Sequence, residues 1–197
     1  MTILYLVRHG VAAAGVEDLD PGLSDIGHAQ ARAAAQALVS TNAKRLVVSP
    51  LKRTRETAEP IAAALDLVPE IRNEVSEVFD PTLSASERKT MLGPFLSGLW
   101  SEQNAELKSW RERVIEALLS LGGEPTIVVS HFVAISAAIG AATGNDRVAP
   151  APVANASITR FGLQNGALHL LEAGGVAHLA ADAITNPHSG RTGLRRD

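Results

Sequence analysis

Short apolar runs alternate along this chain with longer stretches of helical spacing. Ile3-Leu4-Tyr5-Leu6-Val7, Arg45-Leu46-Val47-Val48 and Thr126-Ile127-Val128-Val129 are brief and rich in β-prone residues, and read as three buried strands. Ser24 is placed to cap an alanine-rich helix that runs to about Leu38. Ser49-Pro50 reads as an N-cap followed by proline at the first helical position, opening a helix to about Leu65. Leu67 to Pro81 is irregular with room for a short strand, and Ser84 to Leu99 is mixed and interrupted by Gly93-Pro94. Ser101 to Leu121 predicts a long helix with Leu107, Trp110, Val114, Ala117, Leu118 and Leu121 at helical spacing, ended by Gly122-Gly123. Phe132 to Thr143 reads as a buried helix. Ser157–Phe161 and Ala167–Leu171 predict a hairpin about Asn165-Gly166. The expected fold is α/β: a three-layer α/β/α sandwich with a central, mostly parallel mixed sheet.

Length and composition narrow this further. The 197 residues are most simply one domain, here residues 1–184, with a polar and mobile tail from 185 to 197. The net charge of −3 argues against nonspecific nucleic-acid binding, which needs a basic face. No cysteine is present, which excludes disulfides, thiolate metal sites and cysteine nucleophiles. A cytoplasmic location fits. The first residues lack a basic n-region and carry too short an apolar stretch for a signal peptide. The longest apolar stretch, Phe132 to Thr143, falls far short of the roughly 20 residues a membrane span needs.

Each strand runs into residues suited to phosphate chemistry: Arg8-His9-Gly10, Ser49-Pro50-Leu51-Lys52-Arg53 and Ser130-His131. Strand C-termini in open α/β sheets border the crevice where ligands bind. A neutral imidazole is a competent nucleophile toward phosphorus, and Arg8 and Arg53 are natural clamps because guanidinium is planar, charged and binds two oxygens at once. His131 adds a third donor. The nearby positive charges favour the neutral form of His9. Helix N-termini after the strand tips offer further backbone donors.

These segments resemble a known family. Leu-Val-Arg-His-Gly at 6–10, Leu-Ser-Asp-Ile-Gly-His-Ala-Gln-Ala at 23–31, Val-Ser-Pro-Leu-Lys-Arg-Thr-Arg-Glu-Thr-Ala at 48–58 and Val-Val-Ser-His at 128–131 are similar to the histidine phosphatase superfamily, the phosphoglycerate-mutase-like fold. Asn155-Ala156-Ser157-Ile158 and His178-Leu179 extend the likeness. The resemblance implies hydrolysis of a phosphomonoester through a phosphohistidine on His9, with Arg8, Arg53 and His131 forming the phosphate pocket. It implies an acid among Glu70, Glu74 and Glu77. Glu77 is favoured because Val75-Ser76-Glu77-Val78-Phe79 follows the family's pattern. Two departures stand out: Asp80-Pro81-Thr82 replaces a common Gly and Trp-Glu-Gly, and Phe132 replaces a common glycine. No metal or organic cofactor is implied. The expected partner is a phosphorylated small molecule, with phosphoprotein as a second substrate class; the oligomeric state is left open.

Alternatives remain at several positions. Lys52 and Arg55 compete with Arg53 for the clamp, and Glu74 with Glu77 for the acid. Glu17, Asp18 and Asp20 read as a solvated loop bordering the site. His28, His169 and His188 read as structural or solvent-facing, and His178 as fold-stabilising. Met91, Phe95, Leu99 and Trp100 are either core or a rim over the pocket. A mutase is the nearest rival activity, but Val11-Ala12-Ala13-Ala14-Gly15 lacks the Asn and Gly-Trp motifs that mutases of this kind carry. A binding module without turnover is the rival from another class.

Overall fold

The computed structural model describes residues 1–13, 18, 20–78 and 85–185, with side chains in the last stretch from residue 90 onward. The six described strands are β1 (Thr2–Arg8), β2 (Arg45–Val48), β3 (Pro69–Ile71), β4 (Thr126–Ser130), β5 (Ile158–Gln164) and β6 (Ala167–Gly175). The helices are α1 (Asp25–Leu38), α2 (Lys52–Leu65), α3 (Ala85–Ser97), α4 (Ala105–Leu119) and α5 (Phe132–Thr143). The sheet order is β3-β2-β4-β1-β5-β6. The first four strands pair in parallel, and the β5–β6 hairpin adds antiparallel to β1.

Strand alternation sorts the core into two layers. Leu4, Leu6, Val47, Val128, Phe161 and Leu163 face one side, with Val114 and Leu118 of α4 and the buried length of α5. Val7, Leu46, Val48, Ile127, Val129 and Ile158 face the other, against Ala34, Ala35 and Leu38 of α1 and Ala58 and Ile61 of α2. Alanines on that side let α1 and α2 lie close to the sheet. The register holds Val48, Val129 and Val7 level, so three strand tips end side by side.

Several elements differ from their sequence patterns. Ser49 does not cap α2, and Pro50 is not its first helical residue. The helix begins at Lys52 with Leu51 as N-cap, and no side chain of Leu51 caps it. Ser49 is instead drawn to a distant partner described below. The long fourth helix starts at Ala105, not Ser101, because Asn104 accepts from Leu107 N at 2.9 Å. Residues Trp100–Glu102 form a separate short turn, fixed by Trp100 N donating to Asp146 O at 2.8 Å and by Asp146 accepting from Ser101. Gly93-Pro94 does not interrupt α3, since proline's fixed φ suits a helix at the cost of one hydrogen bond. Phe95 and Trp100 are buried against each other and Trp110, so they are core, not rim; Met91 and Leu99 are exposed.

The short strand expected within 67–81 is β3, and both hairpin strands run longer than their patterns. Asn165 and Gly166 carry φ of 53° and 72°, as a tight two-residue turn requires. Thr185, placed by composition at the start of the tail, gives its hydroxyl to Asn155 Oδ1 at 3.0 Å. Glu17, Phe79 to Thr82, His188 and residues 186–197 lie outside the described residues. No described helix is long and apolar enough to cross a membrane.

Candidate active site

Alternation at the end of β1 decides where Arg8 and His9 go. Arg8 follows Leu4 and Leu6 toward the α5 layer, where its guanidinium lies 5.4 Å from the centre of the Phe132 ring. Its NH1 donates to Val153 O at 2.8 Å, and its Nε is buried with no partner. His9 turns to the α1–α2 layer. Its main-chain N–H donates to Ser130 O at 3.0 Å, which fastens it to the tip of β4. Gly10 then passes close beneath α1: a Cβ there would meet Gly27 O at 2.6 Å.

The strand's end is braced from β5's approach. Asn155 Nδ2 donates to His9 O at 3.0 Å, and Ala156 N donates to Arg8 O at 3.0 Å. Ala156 holds a positive φ of 54°, and His178 Nε2 donates to its carbonyl at 2.9 Å. His178 is thus part of the brace, as its fold-stabilising reading expects.

The His9 ring has one possible tautomer when neutral. Nδ1 lies 2.7 Å from Gly10 O, and a carbonyl only accepts, so Nδ1 carries the proton and Nε2 keeps its lone pair. Burial first, then the charges of Arg53 and Arg8, hold the imidazole well below its ordinary 6.5, against the Gly10 hydrogen bond. His131, the N-cap residue of α5, is fully buried. Burial, then His9, Arg53 and Arg8, keep it well below 6.5 too. The two rings sit 5.2 Å apart. Arg8 is drawn to about 10, chiefly by burial, and stays charged at neutral pH.

Helical register selects Arg53. Lys52 and Arg55 are exposed, whereas Arg53 is buried between the two histidines. Its Nε donates to His9 Nε2 at 3.3 Å and its NH2 to His131 Nδ1 at 3.4 Å. Thr57, one turn on, donates to Arg53 O at 2.7 Å and accepts from Gly10 N at 3.0 Å. Arg53 and the loop after His9 therefore share one hydroxyl.

Glu77 is the one of the three candidate acids that reaches this cluster. Its Oε2 lies 3.6 Å from His131 Nδ1 and 3.8 Å from Arg53 NH2, while Oε1 accepts from Val78 N at 3.0 Å. Glu70 is engaged with Arg45 at 2.9 Å and Arg72 at 2.5 Å, and Glu74 is exposed. His28 is partly exposed near Glu56 at 3.9 Å, and His169 is exposed on β6. Among the described residues, no group of three or more His, Asp or Glu is placed to hold a metal ion.

Two residues near the site escape the sequence patterns. Ser49 Oγ lies 2.7 Å from His131 Nε2. Since guanidinium cannot accept, His131 Nδ1 accepts from Arg53 and Nε2–H donates to Ser49. Asp20 lies 3.7 Å from Arg53 NH1. An acidic loop gives no local sign of that contact.

The fold is that of an α/β protein with two arginines and two histidines gathered at its parallel strand tips. The chain belongs to the histidine phosphatase superfamily (branch 1), whose sequence model matches residues 4–174. Uncharacterized protein Rv0525 of Mycobacterium tuberculosis is 41% identical over 81 residues, spanning 39% of this chain and 40% of that relative. The fold is shared with Bacillus stearothermophilus YhfR at a TM-score of 0.76 and 22% identity, over 90% of this chain and 99% of that one. A phosphoserine phosphatase of Entamoeba histolytica, in complex with 3-phosphoglyceric acid, matches at 0.71 and 23% identity, over 91% and 100%. The mycobacterial glucosyl-3-phosphoglycerate phosphatase Rv2419c matches at 0.67 and 22%, over 89% and 99%.

Proposed function

We propose that this chain is a metal-independent phosphomonoester hydrolase that works through a phosphohistidine on His9. The observation that carries the reading is the ring's state. Nδ1 is tied to Gly10 O, and Nε2 faces the buried Arg53 with its lone pair intact. Arg8 Nε, buried and unpartnered, supplies a donor that a phosphate oxygen would satisfy.

In the first step His9 Nε2 bonds to phosphorus as the ester P–O bond breaks. Glu77 passes a proton to the departing oxygen. Arg53 exchanges its contacts with the two imidazoles for phosphate oxygens, and Arg8 binds from the α5 side. In the second step water attacks phosphorus, Glu77 takes its proton, the N–P bond breaks and inorganic phosphate leaves. Ser49 lets His131 contribute to both: a hydroxyl gives or accepts a hydrogen bond, so the ring can turn a protonated Nδ1 toward phosphate once Arg53 is engaged. The two guanidinium groups supply the charge neutralisation that metals give other phosphatases.

The substrate class is a phosphorylated small molecule, as the names of the two phosphatase neighbours state for theirs. A cytoplasmic setting fits a cysteine-free chain. The test is turnover of p-nitrophenyl phosphate and of a panel of phosphorylated metabolites by the parent, His9→Ala and Glu77→Gln. The parent should form an alkali-stable, acid-labile phosphoenzyme, keep its rate in EDTA, and lose both turnover and phosphoenzyme in His9→Ala. Glu77→Gln should slow alkyl phosphates far more than the aryl ester, whose leaving group needs no proton. Saturable binding of phosphate esters without turnover would make the chain a binding module instead.

A further inference from the structure

We propose that Asp20 is a positioning residue that holds the back of the Arg53 guanidinium, so that the segment before α1, not α2 alone, aims the phosphate clamp. The proposal rests on the phosphate-binding role just argued for Arg53.

Arg53 is the second residue of α2, and its helix lacks a cap of its own: Leu51 at the N-cap position has no polar side chain. Asp20 fills that place from outside the helix. Both of its carboxylate oxygens lie 3.0 Å from Lys52 N, so the first N–H of α2 ends on a side chain more than 30 residues earlier in the chain. A carboxylate at a helix N-terminus is favoured by the aligned peptide dipoles as well as by the hydrogen bond. The same Asp20 places Oδ1 3.7 Å from Arg53 NH1.

The guanidinium has three nitrogens, and the contacts divide them. Nε and NH2 form the edge that meets His9 and His131. That edge carries the two parallel N–H bonds suited to a phosphate. NH1 points away from it, to Asp20. Glu77 touches the working edge, at NH2. The two carboxylates therefore have unlike tasks. Glu77 stands where a leaving group would be, with Oε2 toward His131. Asp20 stands behind the clamp with both oxygens on the backbone of α2. A long arginine side chain has several rotatable bonds, and a fixed charge behind NH1 selects the rotamer that turns Nε and NH2 forward.

The test uses Asp20→Asn and Asp20→Ala in the full chain. The amide oxygen of asparagine still caps Lys52 N but removes the charge behind NH1. Three readings are taken: the thermal midpoint, kcat and KM on p-nitrophenyl phosphate, and the Arg53 Nε–H resonance, assigned by its absence in Arg53→Lys. Asp20→Asn should keep the parent's midpoint yet lose about tenfold in kcat with KM unchanged or lower. Its Arg53 Nε–H signal should broaden or shift. Asp20→Ala should lose the midpoint as well. The proposal is overturned if Asp20→Asn matches the parent in kcat and in the Arg53 signal, because Asp20 is then a helix cap and nothing more. If the parent itself turns over no phosphate ester, the proposed hydrolysis fails. The resonance then decides Asp20's role by itself: a change in Asp20→Asn supports it and an unchanged signal ends it.

Discussion

The two arginines of the pocket reach the same space from opposite supports. Arg8 stands on a strand end whose surroundings are largely main chain. Its carbonyl accepts from Ala156 N, its NH1 donates to Val153 O, and the neighbouring His9 O is held by Asn155. Arg53 stands on the first turn of a helix, among side chains: two imidazoles and the carboxylates of Asp20 and Glu77. One support is held in place because the segment before β5 ties both Arg8 and the main chain of His9 through Val153, Asn155 and Ala156. In the proposed mechanism the other adjusts, because its side-chain contacts are exchanged for phosphate oxygens. A site of this kind combines a fixed wall with a movable one. The movable wall is the one that lies against Glu77 and His131.

The largest test of that comparison replaces each clamp with lysine. A lysine keeps the charge and loses the fork. Arg8→Lys and Arg53→Lys should each lower kcat/KM for p-nitrophenyl phosphate by about 100-fold or more, the scale of about 3 kcal/mol seen when one preorganised donor is removed. Arg55→Lys, exposed on the same helix, should stay near the parent. The walls differ in where the loss falls. Arg53 also touches His9 Nε2, so its replacement should slow phosphoenzyme formation in single-turnover experiments. Arg8 has no such contact with the ring, and its loss should fall more on KM. Identical kinetic signatures from the two variants would remove the distinction between the walls.

A smaller effect is expected from the brace. Asn155→Ala deletes the buried donor to His9 O and the acceptor for Thr185. Loss of a buried hydrogen bond costs on the order of 1–2 kcal/mol, readable as a lower midpoint in urea unfolding. Thr57→Val is the matching change on the movable side. It strands Gly10 N, which now donates to the Thr57 hydroxyl. Both should reduce stability by similar amounts, but Thr57→Val should reduce activity more, because that hydroxyl links the loop after His9 to Arg53. Equal activity losses would place the two walls on the same footing.

The fixed wall was the more legible in sequence. Strand tips follow from apolar runs, and alternation places Arg8 and His9 on opposite layers without knowledge of the fold. Arg53 was separable from Lys52 and Arg55 through its family motif, and burial agrees. Glu77 followed from a pattern of neighbours, although the altered segment after it lies outside the described residues. What stayed hidden was held by contacts remote in sequence. Ser49 has the local look of a helix cap, yet its hydroxyl meets His131, 82 residues later. Asp20 has the look of a solvated loop residue because nothing within a few positions marks its bond to Lys52 N. Trp100 read as either core or rim, and its turn is set by Asp146, which no local periodicity reveals. The start of α1 was legible at Ser24, a local cap, whereas that of α2 was not, because its first N–H ends on Asp20, remote in sequence.

The last predicted effect concerns pH and the pair of imidazoles that joins the two walls. His9 and His131 lie well below 6.5 in the folded protein, while both return to about 6.5 in the unfolded chain. Between the folded values and 6.5, the unfolded chain binds protons that the folded protein refuses. Stability therefore falls as pH drops below about 6.5 and is flat with respect to these groups above it. Each histidine contributes at most about 1.4 kcal/mol per pH unit in that window. Urea midpoints at pH 7.5 and 5.5 should show the parent weaker at the lower value. His131→Ala should show a shallower dependence, even if its stability at pH 7.5 is lower, because one of the two groups is gone. The same depression keeps His9 neutral, so kcat/KM should not lose it to protonation at 6.5; an acid limb near pH 6 would belong to the substrate phosphate, whose second ionisation lies there. A parent whose stability is unchanged from pH 7.5 to 5.5 would mean that the imidazoles accept protons in place, and the neutral His9 on which the proposed attack depends would lose its physical basis.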